Sequence, residues 1–130
     1  MNPKDRVGRT KPGLSCVPCP VLFEVGAAMA EGARKYGRHN WREQAISASV
    51  YYDAALRHLM AFYEGEDIDP DSGLSHVTKA IAGLCVLRDA MLRGKWKDDR
   101  PPASGDGWLG AVGAARRRRK SPRVSGSGRG

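Results

Sequence analysis

Apolar residues recur at helical spacing in three stretches of this chain, and no stretch alternates apolar and polar residues long enough to build a sheet. From Val21 to Tyr36 the stripe is Leu22, Val25, Met29 and Ala33; from about Ile46 it passes through Val50, Ala54, Leu59 and Phe62. The third stretch begins near Asp71 or Ser72, either a good N-cap, and runs to about Arg93 through Leu74, Val77, Ile81, Leu84, Met91 and Leu92. An all-α fold follows, with short links that make successive helices antiparallel neighbours in a bundle. Pro20 suits a first helical turn, and Gly37 is placed to end its helix in a left-handed conformation. Pro12, Pro18 and Pro20 should hold the approach to the first helix extended.

A chain of 130 residues that is 41% hydrophobic fills one modest core. Its formal charge of +8 is unevenly spread: residues 111 to 130 hold seven Lys and Arg and no acid, which leaves fifteen bases against fourteen acids before them. The expected organisation is a helical domain over 1–99 and a flexible, disordered Pro, Gly, Ser and Arg-rich tail over 100–130. The longest apolar run, Ala80 to Leu87, is far short of the roughly 20 residues that span a bilayer. With no membrane span, no secretion signal and an odd count of three cysteines, the cytoplasm and reduced thiols are expected.

The densest chemistry lies between the second and third helices, where Glu64, Glu66, Asp67, Asp69 and Asp71 put five carboxylates in eight residues. Packed like charges resist ionising together unless a cation or a set of donors compensates them, so the run is either solvated loop or an oxygen-rich site. Antiparallel packing brings Glu24, His58, this cluster and His76 toward one end of the bundle, which is what a metal site on a bundle needs. On the first helix Glu24, Ala28, Glu31 and Lys35 share a face, with the two carboxylates about 10 Å apart along the axis. Arg57 and His58 lie in the C-terminal half of the second helix, while His76 and Lys79 project to one side of the apolar stripe of the third.

Three alternative motifs fail on spacing. Asp67, Asp69 and Asp71 imitate the start of a calcium loop, but its glycine position holds Ser72, its closing glutamate position holds Thr78, and Pro70 interrupts it. Cys16-Val17-Pro18-Cys19 has no second cysteine pair and no paired histidines. No phosphate-binding glycine loop is present, so a nucleotide would be held through metal and basic side chains.

Several blocks taken in order carry a family resemblance. They are Lys11 to Pro18, Glu24, Gly32-Ala33-Arg34-Lys35-Tyr36-Gly37-Arg38-His39-Asn40-Trp41-Arg42, Ala55-Leu56-Arg57-His58-Leu59, and Gly65 to His76. Over roughly residues 9 to 90 the chain resembles the phage dATP/dGTP diphosphohydrolases, MazG-like all-α nucleotide pyrophosphohydrolases. The resemblance implies a metal-dependent enzyme that cleaves a purine deoxynucleoside triphosphate, dGTP or dATP, to the monophosphate and pyrophosphate. Within the family it runs closest to members that supply dGMP for 2-aminoadenine deoxynucleotides. It further implies two or three Mg²⁺ or Mn²⁺ ions per site and a homo-oligomer, dimer or tetramer, in the cytoplasm of a phage host.

On that resemblance Glu24, Glu66, Asp67 and Asp69 are the first candidates for metal ligands, and Glu24, His58, Glu66, Asp67 and His76 for catalytic groups. Lys35, Arg57 and Lys79 would contact phosphate, and Asn40 and Trp41 would recognise and stack on the base. Glu31 and Glu64 rank second. The chain lacks the ExxE of wider MazG proteins, its Glu64 and Asp67 satisfy ExxD only across Gly65, and Gly83 stands where the family has an asparagine. The rival class is a helical nucleic-acid binder acting through Arg116-Arg117-Arg118-Arg119-Lys120; even in the enzyme this run allows weak, nonspecific nucleic-acid contact.

Overall fold

Two prolines and a glycine bound the first long helix of the computed structural model, which describes residues 1–120. After a short helix α1 (Pro3–Gly8) capped by Asn2, helix α2 (Cys19–Tyr36) starts from an extended Pro18 with Pro20 in its first turn. It ends at Gly37, whose amide donates to the Ala33 carbonyl at 2.9 Å. Gly37 has φ 93° and ψ 145°, so the positive φ expected of it is present, but in an extended region open essentially only to glycine and not in the left-handed helical one.

A one-turn helix α3 (Asn40–Glu43) follows, then a two-residue strand β1 (Ile46–Ser47) and helix α4 (Ala48–Tyr63). Helix α5 (His76–Leu92) leads to strand β2 (Trp96–Lys97), which pairs parallel to β1 with Ile46 opposite Trp96. The strands are too short to produce any periodicity, and they shift the expected start of α4 from Ile46 to Ala48. Asp99, just beyond β2, accepts from the Ser49 amide at 2.8 Å and from the Ser49 hydroxyl, so a distant carboxylate caps α4. This clasp and the contact of His58 with His76 near the opposite ends of the same helices make α4 and α5 an antiparallel pair.

The sequence pattern puts the cap of the third helix at Asp71 or Ser72, whereas the structure has it at Ser75, whose hydroxyl accepts from the Val77 and Thr78 amides. Residues 69–75 instead close on themselves. Asp69 accepts from the amides of Asp71 and Ser72 and from the Ser72 hydroxyl, and the Gly73 amide donates to the Asp69 carbonyl. A local carboxylate competing for backbone amides, with Gly73 at φ 73°, outweighs helix initiation there.

Small side chains fill the interior. Val25, Ala28 and Ala82 form the centre, packed by Val21, Met29, Leu74 and Ile81, while Ala48, Ala55, Ala80, Val86 and Ala90 are also buried. Large apolar groups such as Phe23 at 80% and Tyr63 at 87% exposure stay on the surface. Among the described residues no helix is long and apolar enough to cross a membrane, and all three cysteines are free and exposed.

Residues Met1–Arg100 form one compact unit and a second begins at Pro101. In the second, helix α6 (Trp108–Lys120) lies within the stretch expected as a flexible, disordered tail. Ala, Arg and Lys are strong helix formers, and cations near the C-terminal end favour the helix dipole, so local propensity supports a helix there. The rest of the expected tail, 121–130, lies outside the described residues.

Candidate active site

Helices α2, α3, α4 and α5 line an open cavity of about 490 Å³ walled by Asn40, Trp41, Tyr51, Arg57, His58 and Lys79. The aromatic side of this set comes from α3 and the start of α4, the cationic side from the end of α4 and the first turn of α5. Gly32 and Gly83 also line it, and a Cβ on either would meet nothing within 4 Å, so the missing side chains leave the space open. Five residues expected to contact nucleotide or take part in catalysis, Asn40, Trp41, Arg57, His58 and Lys79, therefore share one wall system. Tyr51 joins them without having been singled out from the sequence. Its signal was its position seven residues before His58, on the same helical face.

His58 begins a chain of three side chains. His58 Nδ1 lies 2.9 Å from Nδ1 of the buried His76, and His76 Nε2 lies 2.6 Å from Oε1 of Glu66. As a carboxylate Glu66 can only accept, so His76 donates from Nε2 and, when neutral, accepts at Nδ1. His58 then donates from Nδ1 and keeps the lone pair on Nε2. Burial pushes the His58 pKa below the ordinary histidine value, with Asp69 opposing and His76, Lys79 and Arg57 assisting, which favours the neutral ring this polarity requires.

A second ionic chain crosses from α2 to α5. Glu31, with a side chain only 11% exposed, accepts from Lys79 Nζ at 2.5 Å and Lys35 Nζ at 2.7 Å, and Lys35 reaches Asp71 at 2.7 Å. The hydrogen bonds from Lys35 and Lys79 hold the Glu31 carboxyl below its ordinary range against the opposing effect of burial. The bonds to Asp71 and Glu31 raise the Lys35 pKa. Lys35 thus braces the helix face and is not part of the cavity wall, while Glu31, ranked second from the sequence, proves to be the carboxylate that sets Lys79.

The expected metal ligands are spread out. Glu24 Oε1 accepts from the Thr78 hydroxyl at 3.2 Å, Glu66 is engaged by His76, and Asp69 is buried and turned into its own loop. Burial would raise the Asp69 pKa, but the Ser72 hydroxyl and the Asp71 and Ser72 amides outweigh it and lower it. Asp67 is exposed and contributes its backbone carbonyl, which accepts from the His76 amide at 2.9 Å. Among the described residues no three His, Cys, Asp or Glu side chains gather into a group that could hold an ion by themselves.

Comparison with known proteins gives a consistent result. Residues 1–100 match the family model described as dATP/dGTP diphosphohydrolase, N-terminal. A dATP/dGTP diphosphohydrolase of Salmonella phage PMBT28 is 31% identical over 111 residues, covering 85% of this chain and 36% of the relative. The chain thus spans about a third of the length of the curated relative it matches. No solved structure matches it significantly.

Proposed function

The chain belongs to the dATP/dGTP diphosphohydrolase family through that family's N-terminal region, and on this premise we propose that it cleaves a purine deoxynucleoside triphosphate, dGTP ahead of dATP, to the monophosphate and pyrophosphate. The observation that carries the proposal is the cavity with aromatic and cationic walls. Trp41 is anchored at Asp89 and Lys79 lies ten residues earlier on α5, which is about 15 Å of helix. A nucleotide laid along that line puts its base against Trp41 and Tyr51 and its phosphates by Arg57 and Lys79.

The residues divide the work by their chemistry. Trp41 and Tyr51 offer ring faces to a purine, and Asn40 offers both a donor and an acceptor to its edge. Arg57 and Lys79 offset phosphate charge; the bond from Lys79 to Glu31 keeps the ammonium extended before substrate arrives. His58 Nε2 is the proton acceptor for water attacking the α-phosphorus, with His76 and Glu66 fixing its tautomer.

Divalent metal, Mg²⁺ or Mn²⁺, belongs to the same proposal. Magnesium at triphosphate sites takes one or two carboxylates and completes its shell with phosphate oxygens and water, so Glu24 and the exposed Asp67 suit it without forming a closed cage, while Glu66 and Asp69 would first have to leave His76 and the 69–75 loop. When bound, the metal would polarise the anhydride and lower the pKa of the attacking water. We place the reaction in the host cytoplasm, with dGMP feeding 2-aminoadenine nucleotide synthesis. We also propose a homo-oligomer, dimer or tetramer, that covers apolar groups such as Phe23, Met60 and Tyr63, which a single chain leaves exposed.

The test is kinetic. With dGTP or dATP and either metal, Trp41→Ala and Lys79→Met should each lower kcat/KM at least about tenfold. Unchanged kcat/KM in both would remove the cavity as the site. The exposed Arg116–Arg119 run on α6 supports a subsidiary reading, weak nonspecific contact with nucleic acid.

A further inference from the structure

We propose that Asp89 is a positioning residue for the nucleotide base, acting by locking the indole of Trp41 at the boundary of the cavity. This rests on the nucleotide-cleaving role assigned above, and concerns a residue outside the cavity wall.

Helix α3 has four residues, between Gly37 at φ 93° and an extended Gln44, with His39 as its N-cap at φ 57°. One turn of helix has little stability of its own. Its fixed point is Asp89 on α5: Trp41 Nε1 donates to Oδ2 at 2.8 Å, while Arg42 donates from Nε to Oδ2 at 2.9 Å and from Nη2 to Oδ1 at 3.1 Å. The planar fork of Arg42 sets the carboxylate plane, and the carboxylate sets the edge of the indole. Arg93, with Nε 3.8 Å from Oδ1, adds charge on the same side.

Packing alone does not hold this ring. Trp41 lines the 490 Å³ cavity and also a second one of about 410 Å³ shared with Met29, Ala33, Arg38 and His39. A half-buried ring that borders two open spaces is restrained less by packing, so the bond to its N–H does more to fix its orientation, and stacking on a base requires one orientation. His39 meets Trp41 edge to face at a 5.6 Å centroid separation, which restrains the ring but supplies no hydrogen-bond acceptor for its N–H. The bonds from Arg42 and Trp41 keep the Asp89 carboxyl at about 2, so the lock stays charged at any working pH.

A double-substitution cycle on the full chain tests the lock, using steady-state turnover of dGTP and of dATP. Asp89→Ala should raise KM about tenfold and leave kcat within about twofold, because a lost charged hydrogen bond affects how the base is held before chemistry. Asp89→Asn, which retains an acceptor for the indole, should recover most of the KM. In the Trp41→Phe background, where no indole N–H exists to be held, Asp89→Ala should add less than about twofold. Equal KM penalties in both backgrounds, failure of Asp89→Asn to recover KM, or a loss confined to kcat would overturn the proposal while nucleotide turnover stands. A chain that releases no pyrophosphate from either nucleotide overturns the functional reading and the lock together.

Discussion

Replacing Glu31 with Gln tests the ionic chain between α2 and α5. The Glu31 side chain is 11% exposed and that of Lys79 18%, so their 2.5 Å contact lies between the limits of a surface pair, worth about 0–1 kcal/mol, and a buried pair broken on one side, at about 3–5 kcal/mol. Gln keeps the shape and one acceptor oxygen, which places the expected loss at about 2 kcal/mol. For a unit of this size that corresponds to a fall in melting temperature of about 10 °C. Urea denaturation monitored by helical circular dichroism should show a lower midpoint at unchanged slope. The pH dependence has a definite sign. The folded Glu31 pKa lies below the ordinary glutamate value of 4.5, so its contribution is complete above that value and disappears as pH falls through the lower folded pKa. The gap between the unsubstituted protein and Glu31→Gln should therefore close in acid. A difference below about 0.5 kcal/mol at pH 7, or one abolished by 1 M salt as for a screened surface pair, would refute a buried role for this carboxylate.

Three further outcomes follow from the same contacts. Ser75→Ala removes the hydroxyl that accepts from the Val77 and Thr78 amides and should cost about 1 kcal/mol by urea denaturation, whereas Ser72→Ala should leave the start of α5 intact. Asp69→Ala removes the acceptor of two amides and a hydroxyl; faster amide hydrogen exchange confined to residues 69–76 is expected, and unchanged exchange would contradict its role in closing the loop. A chain ending at Arg100 should retain metal-dependent pyrophosphate release and lose any salt-sensitive binding to DNA; loss of turnover with the tail would favour the nucleic-acid reading.

The long helices were legible because burial imposes a helical period, as at Val25 and Met29 on α2; on α5 the buried row is Ala82, Val86 and Ala90, four residues apart, whereas the expected Leu84 and Leu92 are exposed. What escaped depends on contacts without a period. The start of α5 moved to Ser75 because Asp69 recruits nearby amides, and β1 and β2 arise from a pairing across fifty residues of chain. Helix α6 lies in the stretch whose composition argued against a packed core, where Ala, Arg and Lys supply local helix propensity. Around the candidate site, Trp41, Arg57, His58 and Lys79 were named on the family resemblance, and the structure brings them to one cavity. The grouping of the acids could not, since charge density in sequence does not reveal that Asp69 turns inward or that Glu31 lies between two lysines.

The central claim is cleavage between the α and β phosphates, and phosphorus NMR of the full chain incubated with dGTP and Mg²⁺ or Mn²⁺ tests it most directly. Equal amounts of dGMP and pyrophosphate, with dATP cut the same way at a lower rate, are expected. Release of inorganic phosphate with dGDP, or an unchanged triphosphate with both metals and both nucleotides, would contradict it.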